Sequence, residues 1–142
     1  MVAVVLAASS CRSDGSPEPV NLPPAPPVVE ITMQEYSFKV PDGIPAGRVV
    51  FRLRNAGEAH HRPALLPLDE ELPPLDEQIR GTERATVSPF AGTRTRAPGA
   101  TGLFAVDLAP DTRYGLVCFV RDDVVGSHAL QGMYHEFRTP KG

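Results

Sequence analysis

The chain has 142 residues, a formal net charge of −3, sixteen prolines and no tryptophan. That length suits a single core, and the weak negative charge argues against nucleic acid as a main partner. Proline at this density fits loop-rich β architecture and linkers better than helices.

The chain opens with "MVAVVLAASSC", an apolar run that passes through small residues to Cys11. It resembles the end of a bacterial lipoprotein signal, which implies Cys11 as a lipidation site, attachment to a membrane by lipid only, and an extracytoplasmic location. No other segment approaches the ~20 apolar residues of a membrane span. Residues 12–28 hold six prolines and read as a semi-extended tether. The folded domain is expected over 29–142, without internal repeats. With Cys11 lipidated, Cys118 has no disulfide partner, and a lone thiol in an oxidising compartment is a liability unless it is buried or ligated.

The domain reads as β. "VVEITMQEYSFKV" alternates at Val29, Ile31 and Met33, then resumes at Tyr36, Phe38 and Val40. The slip of phase at Gln34 and Glu35 predicts a bulge or a bend between two strand segments. After the turn-rich "PDGIPAG", "RVVFRLRN" places Val49, Phe51 and Leu53 on one face and Arg52 and Arg54 on the other. Ala64 to Leu68 is a further strand. "LDEQIRG", Leu75 to Gly81, has early acids, a late arginine and a closing glycine, the end signals of a short helix. Thr82 to Thr101 is loop-like and carries Arg84, Arg94 and Arg96, read as a solvated surface rather than a docking patch. In "GLFAVDLAPDTRYGLVCFV", Phe104, Val106 and Leu108 form one strand face, and Tyr114, Leu116, Cys118 and Val120 form the next. "LAPDTRY" resembles the tyrosine corner of Greek-key sandwiches, in which a hydroxyl bonds back to the preceding loop. "YHEFRT" is the last strand. About six to eight strands and one short helix make an all-β Greek-key β-sandwich.

Cys118 lies in period with Tyr114 and Leu116, so its sulfur faces the interior, where a cysteine commonly serves as a small buried hydrophobe. His128 follows a polar loop, and Met133 stands just before the last strand. Far upstream, "NAGEAHH" ends in His60 and His61 directly after a strand. In a sandwich that turn can open at the same end as the loop after Cys118, so an imidazole can reach the thiol across the two sheets.

These segments together resemble the cupredoxins, the plastocyanin-like family of blue copper proteins, over roughly residues 29–140. "NAGEAH" is similar to the asparagine-glycine turn that delivers the first histidine ligand. "YGLVC" matches the strand that delivers the thiolate, and "HALQGM" the loop that delivers the second histidine and the axial thioether. The resemblance implies one copper ion held by His60 (with His61 as the alternative), Cys118, His128 and Met133. It also implies that Asn55 ties the histidine turn to the cysteine-bearing loop, and that a surface-near His128 offers an electron path to a partner.

Such a donor set makes a one-electron site. The implied function is electron transfer to a redox partner protein, not catalysis. A copper storage or delivery module, exchanging Cu(I) with a donor or acceptor, and a metal-free interaction domain are the alternatives. The sequence departs from the family in one place. Nine residues separate Cys118 from His128, where ordinary cupredoxins have only a few; a loop of that length closes at modest entropic cost. A Cys-His hydrolase is disfavoured, since no helix N-terminus stands by to activate Cys118.

Overall fold

The computed structural model describes residues 20–81, 91–92 and 94–142, so Cys11 and Arg84 lie outside the described residues. Residues 20–27 of the tether are exposed and without regular structure. The alternation that the sequence displays is spent on two facing sheets. In β1 (Val28–Gln34), Val29, Ile31 and Met33 point inward, and in β3 (Gly47–Asn55), Val49, Phe51 and Leu53 do the same. These strands pair in parallel, which keeps both apolar rows on one face. β2 (Ser37–Lys39) flanks β1.

The change of phase at Glu35 is neither a bulge nor a bend. β2 folds straight back on β1 as an antiparallel neighbour, with Met33 opposite Phe38 and Gln34 opposite Ser37. Reversal at Glu35 and Tyr36 restores Phe38 to the core side and leaves Glu35 at the tip of the turn.

The chain next crosses to the second sheet with β4 (Pro63–Leu68). After α1 (Leu75–Arg80) and β5 (Ala91–Gly92), it returns to the first with β6 (Thr101–Leu108) and crosses again to β7 (Arg113–Cys118). A small hairpin, β8 (Arg121–Asp122) with β9 (Gly126–Ser127), precedes the last strand, β10 (Tyr134–Arg138). The two main sheets, each of four strands, run β2-β1-β3-β6 and β10-β7-β4-β5. Among the described residues, the eight strands of the two main sheets and one short helix make the expected sandwich, and the β8–β9 hairpin adds two strands beyond the expected six to eight.

β4 and β7 are buried on both faces, which strict alternation does not anticipate. Their inward residues Leu65, Tyr114, Leu116 and Cys118 join the main core. Their outward residues Leu66, Leu68 and Val117 form a second cluster with Leu75 of α1 and with Ala129. Gly115 allows this docking: a Cβ there would come within 2.9 Å of a Leu75 methyl. The helix begins after Pro74 with no side-chain cap of its own. The Leu75 N–H instead donates to Glu136 Oε2 of β10 at 2.8 Å, satisfying one of the free amides of the first turn.

The corner between β6 and β7 is pinned as the sequence suggested. The Ala109 N–H donates to the Tyr114 hydroxyl at 2.9 Å, and the Tyr114 ring stacks on Phe137 with centroids 5.6 Å apart. Tyr114→Phe keeps the stacking and removes the acceptor. Urea unfolding of this variant should show a loss of about 0.5–1.5 kcal/mol, the usual net contribution of one intramolecular hydrogen bond.

Candidate metal centre

One end of the sandwich collects the chemistry. β1 and β3 finish there, and β4 and β10 begin there: Met33 pairs with Asn55, Pro63 with Cys118, and Tyr134 with Val117. Three sequence-distant regions therefore meet at one pole: the β1–β2 turn, the β3–β4 turn, and the continuous run from the end of β7 through the long loop to the approach to β10.

Cys118, the last residue of β7, is fully buried, and so are His61, His128 and Met133. His61 Nδ1 and His128 Nδ1 stand 3.3 Å apart, and Cys118 Sγ lies 4.0 Å from the first and 3.8 Å from the second. A circle through these three atoms has a radius of about 2.2 Å, within the ~2.0–2.3 Å range of first-row metal bonds to imidazole nitrogen and thiolate sulfur. Among the described residues, this is the group of histidine, cysteine and carboxylate side chains placed to share an ion.

His60, the first choice from the sequence, is exposed and outside the group; His61 takes the inward place. The reason is strand phase. His61 lies in period with Pro63 and Leu65 on the core side, whereas His60 is in phase with Leu66 and the outer cluster. Extending the β4 alternation backwards across Arg62 would have identified His61 from the sequence. The backbone enforces that phase: His61 and Arg96 exchange N–H···O bonds of 3.1 and 2.7 Å.

Asn55 is fully buried and holds the β3–β4 turn from within. Its Oδ1 accepts from the Gly57 N–H at 3.0 Å, and its Nδ2 donates to the carbonyls of Ala59 at 2.8 Å and Arg96 at 2.9 Å. The tie thus runs to Arg96, the partner of His61, rather than to the cysteine-bearing loop. The thiol is held by other means: its sulfur accepts from the Arg62 N–H at 3.4 Å, and the Cys118 N–H donates to the Met133 carbonyl at 3.0 Å.

The nine residues after Cys118 fold outward as the β8–β9 hairpin. Asp122 Oδ1 accepts from the N–H groups of Val124 and Val125 at 2.9 and 2.8 Å, which closes the turn. The His128 N–H then donates to the Val120 carbonyl at 3.0 Å, and its own carbonyl accepts from the Met133 N–H at 3.0 Å. The hairpin therefore returns the chain to the site. His128, expected near the surface, is fully buried, with Asp122 of the hairpin at its Nε2 and the Tyr36 ring against it at 4.7 Å between centroids.

Two carboxylates that the sequence reading did not single out for the site back the histidines. Asp122 Oδ2 lies 2.6 Å from His128 Nε2, and Glu35 Oε1 lies 3.4 Å from His61 Nε2. Glu35 is itself fixed by the N–H groups of Glu58 and Ala59 at 2.7 and 2.6 Å. A Cβ on Gly57 would overlap its carboxylate, so that glycine is what lets the acid approach. Neither acid was legible by spacing, since Glu35 reaches His61 only because two turns share a pole.

The electrostatics describe a dry pocket. Burial pushes the Cys118 thiol up, partly offset by the amides donating to its sulfur. Burial, and then the neighbouring His128, push the His61 imidazole down. The Val125 amide and the His128 bond hold Asp122 at about 2. A buried thiol whose pKa is pushed up is a poor nucleophile, but the donor set suits a metal ion, whose ligation deprotonates a thiol.

No family model matches the chain, and no curated protein matches it in sequence. Solved structures do resemble it. A dithionite-reduced auracyanin from Roseiflexus castenholzii superimposes with a TM-score of 0.57 at 16% identity, covering 81% of this chain and 97% of that one. Auracyanin B gives 0.56 at 16%, covering 83% and 92%. Auracyanin A, a "blue" copper protein from Chloroflexus aurantiacus, gives 0.50 at 14%, covering 82% and 99%. The chain has the cupredoxin fold that its sequence resembled.

Asn55→Ala removes three hydrogen bonds; the Gly57 amide and the Ala59 carbonyl lose this partner, while the Arg96 carbonyl keeps the His61 amide. The metal-free variant should lose about 1–3 kcal/mol in urea unfolding, since each such bond contributes roughly 0.5–1.5 kcal/mol net.

Proposed function

We infer that the chain binds one copper ion through His61, Cys118 and His128, with Met133 as a weak axial donor, and carries single electrons between partner proteins outside the cytoplasm. The observation that carries this reading is the triangle of Nδ1, Nδ1 and Sγ atoms, already drawn to bonding radius in a fully buried pocket. Thiolate and thioether suit Cu(I), and imidazole suits both oxidation states. Copper held in such a set supplies a one-electron couple.

The chain's own residues supply constancy. Cys118 is fixed by strand pairing and by the Arg62 amide, His61 by its exchange with Arg96, and His128 by Val120 and Asp122. Donors anchored this way cannot rearrange much when charge changes, which keeps the cost of electron transfer low. Their burial favours a carrier over a delivery module, because an electron can leave through bonds whereas an exchanging ion needs an opening. It favours a carrier over an enzyme for the same reason.

A partner would meet the pole through apolar contact. Phe119, Val124 and Leu130 are exposed large hydrophobic side chains on the segments that follow Cys118 and His128. Among the described residues no helix is long and apolar enough to cross a membrane. Attachment through Cys11 rests on the signal-like leader and the proline-rich tether.

Metal-free protein titrated with Cu(II) should develop an intense visible thiolate-to-copper band that saturates at one equivalent. Cys118→Ser should abolish the band and His61→Ala should weaken it severely, whereas His60→Ala should leave it intact. Met133→Leu should retain the colour and change the reduction potential, since the axial ligand tunes it. A colourless wild-type protein whose Cys118 titrates freely with a thiol reagent would defeat this reading.

A further inference from the structure

We propose that Asp122, with Glu35 in a weaker parallel role, is a positioning residue that holds its histidine as the Nε2–H tautomer and thereby aims the Nδ1 lone pair at the point shared with Cys118. The proposal deepens the copper reading and rests on it for its consequences, but the tautomer can be tested without metal.

A neutral imidazole carries one proton on two nitrogens, and the partner of one nitrogen decides which of them can bind a metal. An ionised carboxylate only accepts hydrogen bonds. At 2.6 Å, Asp122 Oδ2 therefore requires a proton on His128 Nε2, and in the neutral ring that makes Nδ1 the bare nitrogen. The geometry is built rather than incidental. The other oxygen of the same carboxylate takes two amides of the β8–β9 turn, so the hairpin that lengthens the loop also sets the angle of the acid. At His61 the same logic acts over 3.4 Å. That Nε2 has no hydrogen-bond partner, but it faces a carboxylate that two amides and the missing side chain of Gly57 hold in place.

With both protons drawn outward, two lone pairs face each other across 3.3 Å beside a sulfur. A shared cation relieves this repulsion. The two carboxylates also place negative charge behind both donors, which favours Cu(II) over Cu(I). Outer carboxylates of this kind typically contribute 10–100-fold in metal affinity.

Asp122→Asn is the decisive variant because it is isosteric. Its Oδ1 can still accept from Val124 and Val125, and that orientation turns an NH2 donor toward His128 Nε2. The histidine must then accept there and carry its proton on Nδ1. Long-range 1H–15N correlation on metal-free, full-length protein should show His128 as the Nε2–H tautomer in wild type and as Nδ1–H in Asp122→Asn. Cu(II) affinity should fall roughly 10–100-fold, and the reduction potential should rise. Glu35→Gln should shift affinity and potential the same way by less.

An Nδ1–H tautomer in the wild type overturns the proposal, as does an Asn variant with unchanged tautomer and unchanged copper affinity. If Asp122→Asn unfolds, the wild-type spectrum and Glu35→Gln decide it. If wild type takes up no copper, the electron-transfer reading falls while the metal-free spectra still judge the role of Asp122.

Discussion

Holding two imidazoles and a thiol within 4.0 Å of one another where water does not reach is the constraint around which the rest of the molecule is arranged. Buried polar groups cost free energy unless each finds a partner. Here most partners come from separate segments: Arg62 for the sulfur, Arg96 and Asn55 for the His61 turn, and Asp122 for His128, while His61 Nε2 faces Glu35 at 3.4 Å without a hydrogen bond. The sandwich makes this possible because strands from both sheets begin or end at the same place. Parallel pairing of β1 with β3 matters for a specific reason. It brings the β1–β2 turn, and so Glu35, to the end where His61 emerges.

The long loop changes the character of the site without opening it. Its added length is taken up by a two-stranded hairpin whose turn is capped by Asp122, one residue serving both the loop and the histidine. Loop closure grows only slowly in cost with length, so nine residues can intervene before His128 returns to the sulfur. The outcome is a fully buried histidine, held between Asp122 of the hairpin and the Tyr36 ring of the β1–β2 turn. The outer boundary of the pole is formed by loop side chains, with Val124 almost fully exposed at the hairpin tip.

Much of this was legible in the residues. The apolar rows of β1, β3 and β7, the helix over Leu75–Arg80 and the hydroxyl of Tyr114 bonding back to Ala109 all follow from local pattern, and the structure has them. Cys118 was legible because strand phase fixes which way a side chain points. The same rule carried two residues further would have separated His61 from His60, but the turn between β3 and β4 hid the phase. Glu35, Asp122 and the Arg96 contact of Asn55 were not legible as partners. Each depends on two turns meeting in space, and no periodicity within one strand encodes such a meeting. The reversal at Glu35 was hidden for a related reason: a slip of phase is the same on paper whether the chain bends or doubles back.

Similarity at 14–16% identity establishes a shared fold and no more, so the case for a metal must come from the pole itself. The decisive consideration is cost. Cysteine and methionine serve as ordinary core filler, and a scaffold that had lost its ion could keep Cys118 and Met133 without penalty. Two fully buried histidines, their Nδ1 atoms facing at 3.3 Å, are different. Replacing His61 by leucine would remove a buried imidazole whose desolvation pushes its pKa down, and replacing His128 would remove the second influence on it. A chain with no use for the imidazoles would gain by losing them. Their presence, one bonded to a carboxylate at its outer nitrogen and the other facing one at 3.4 Å, is accounted for when an ion binds between them and offsets their burial.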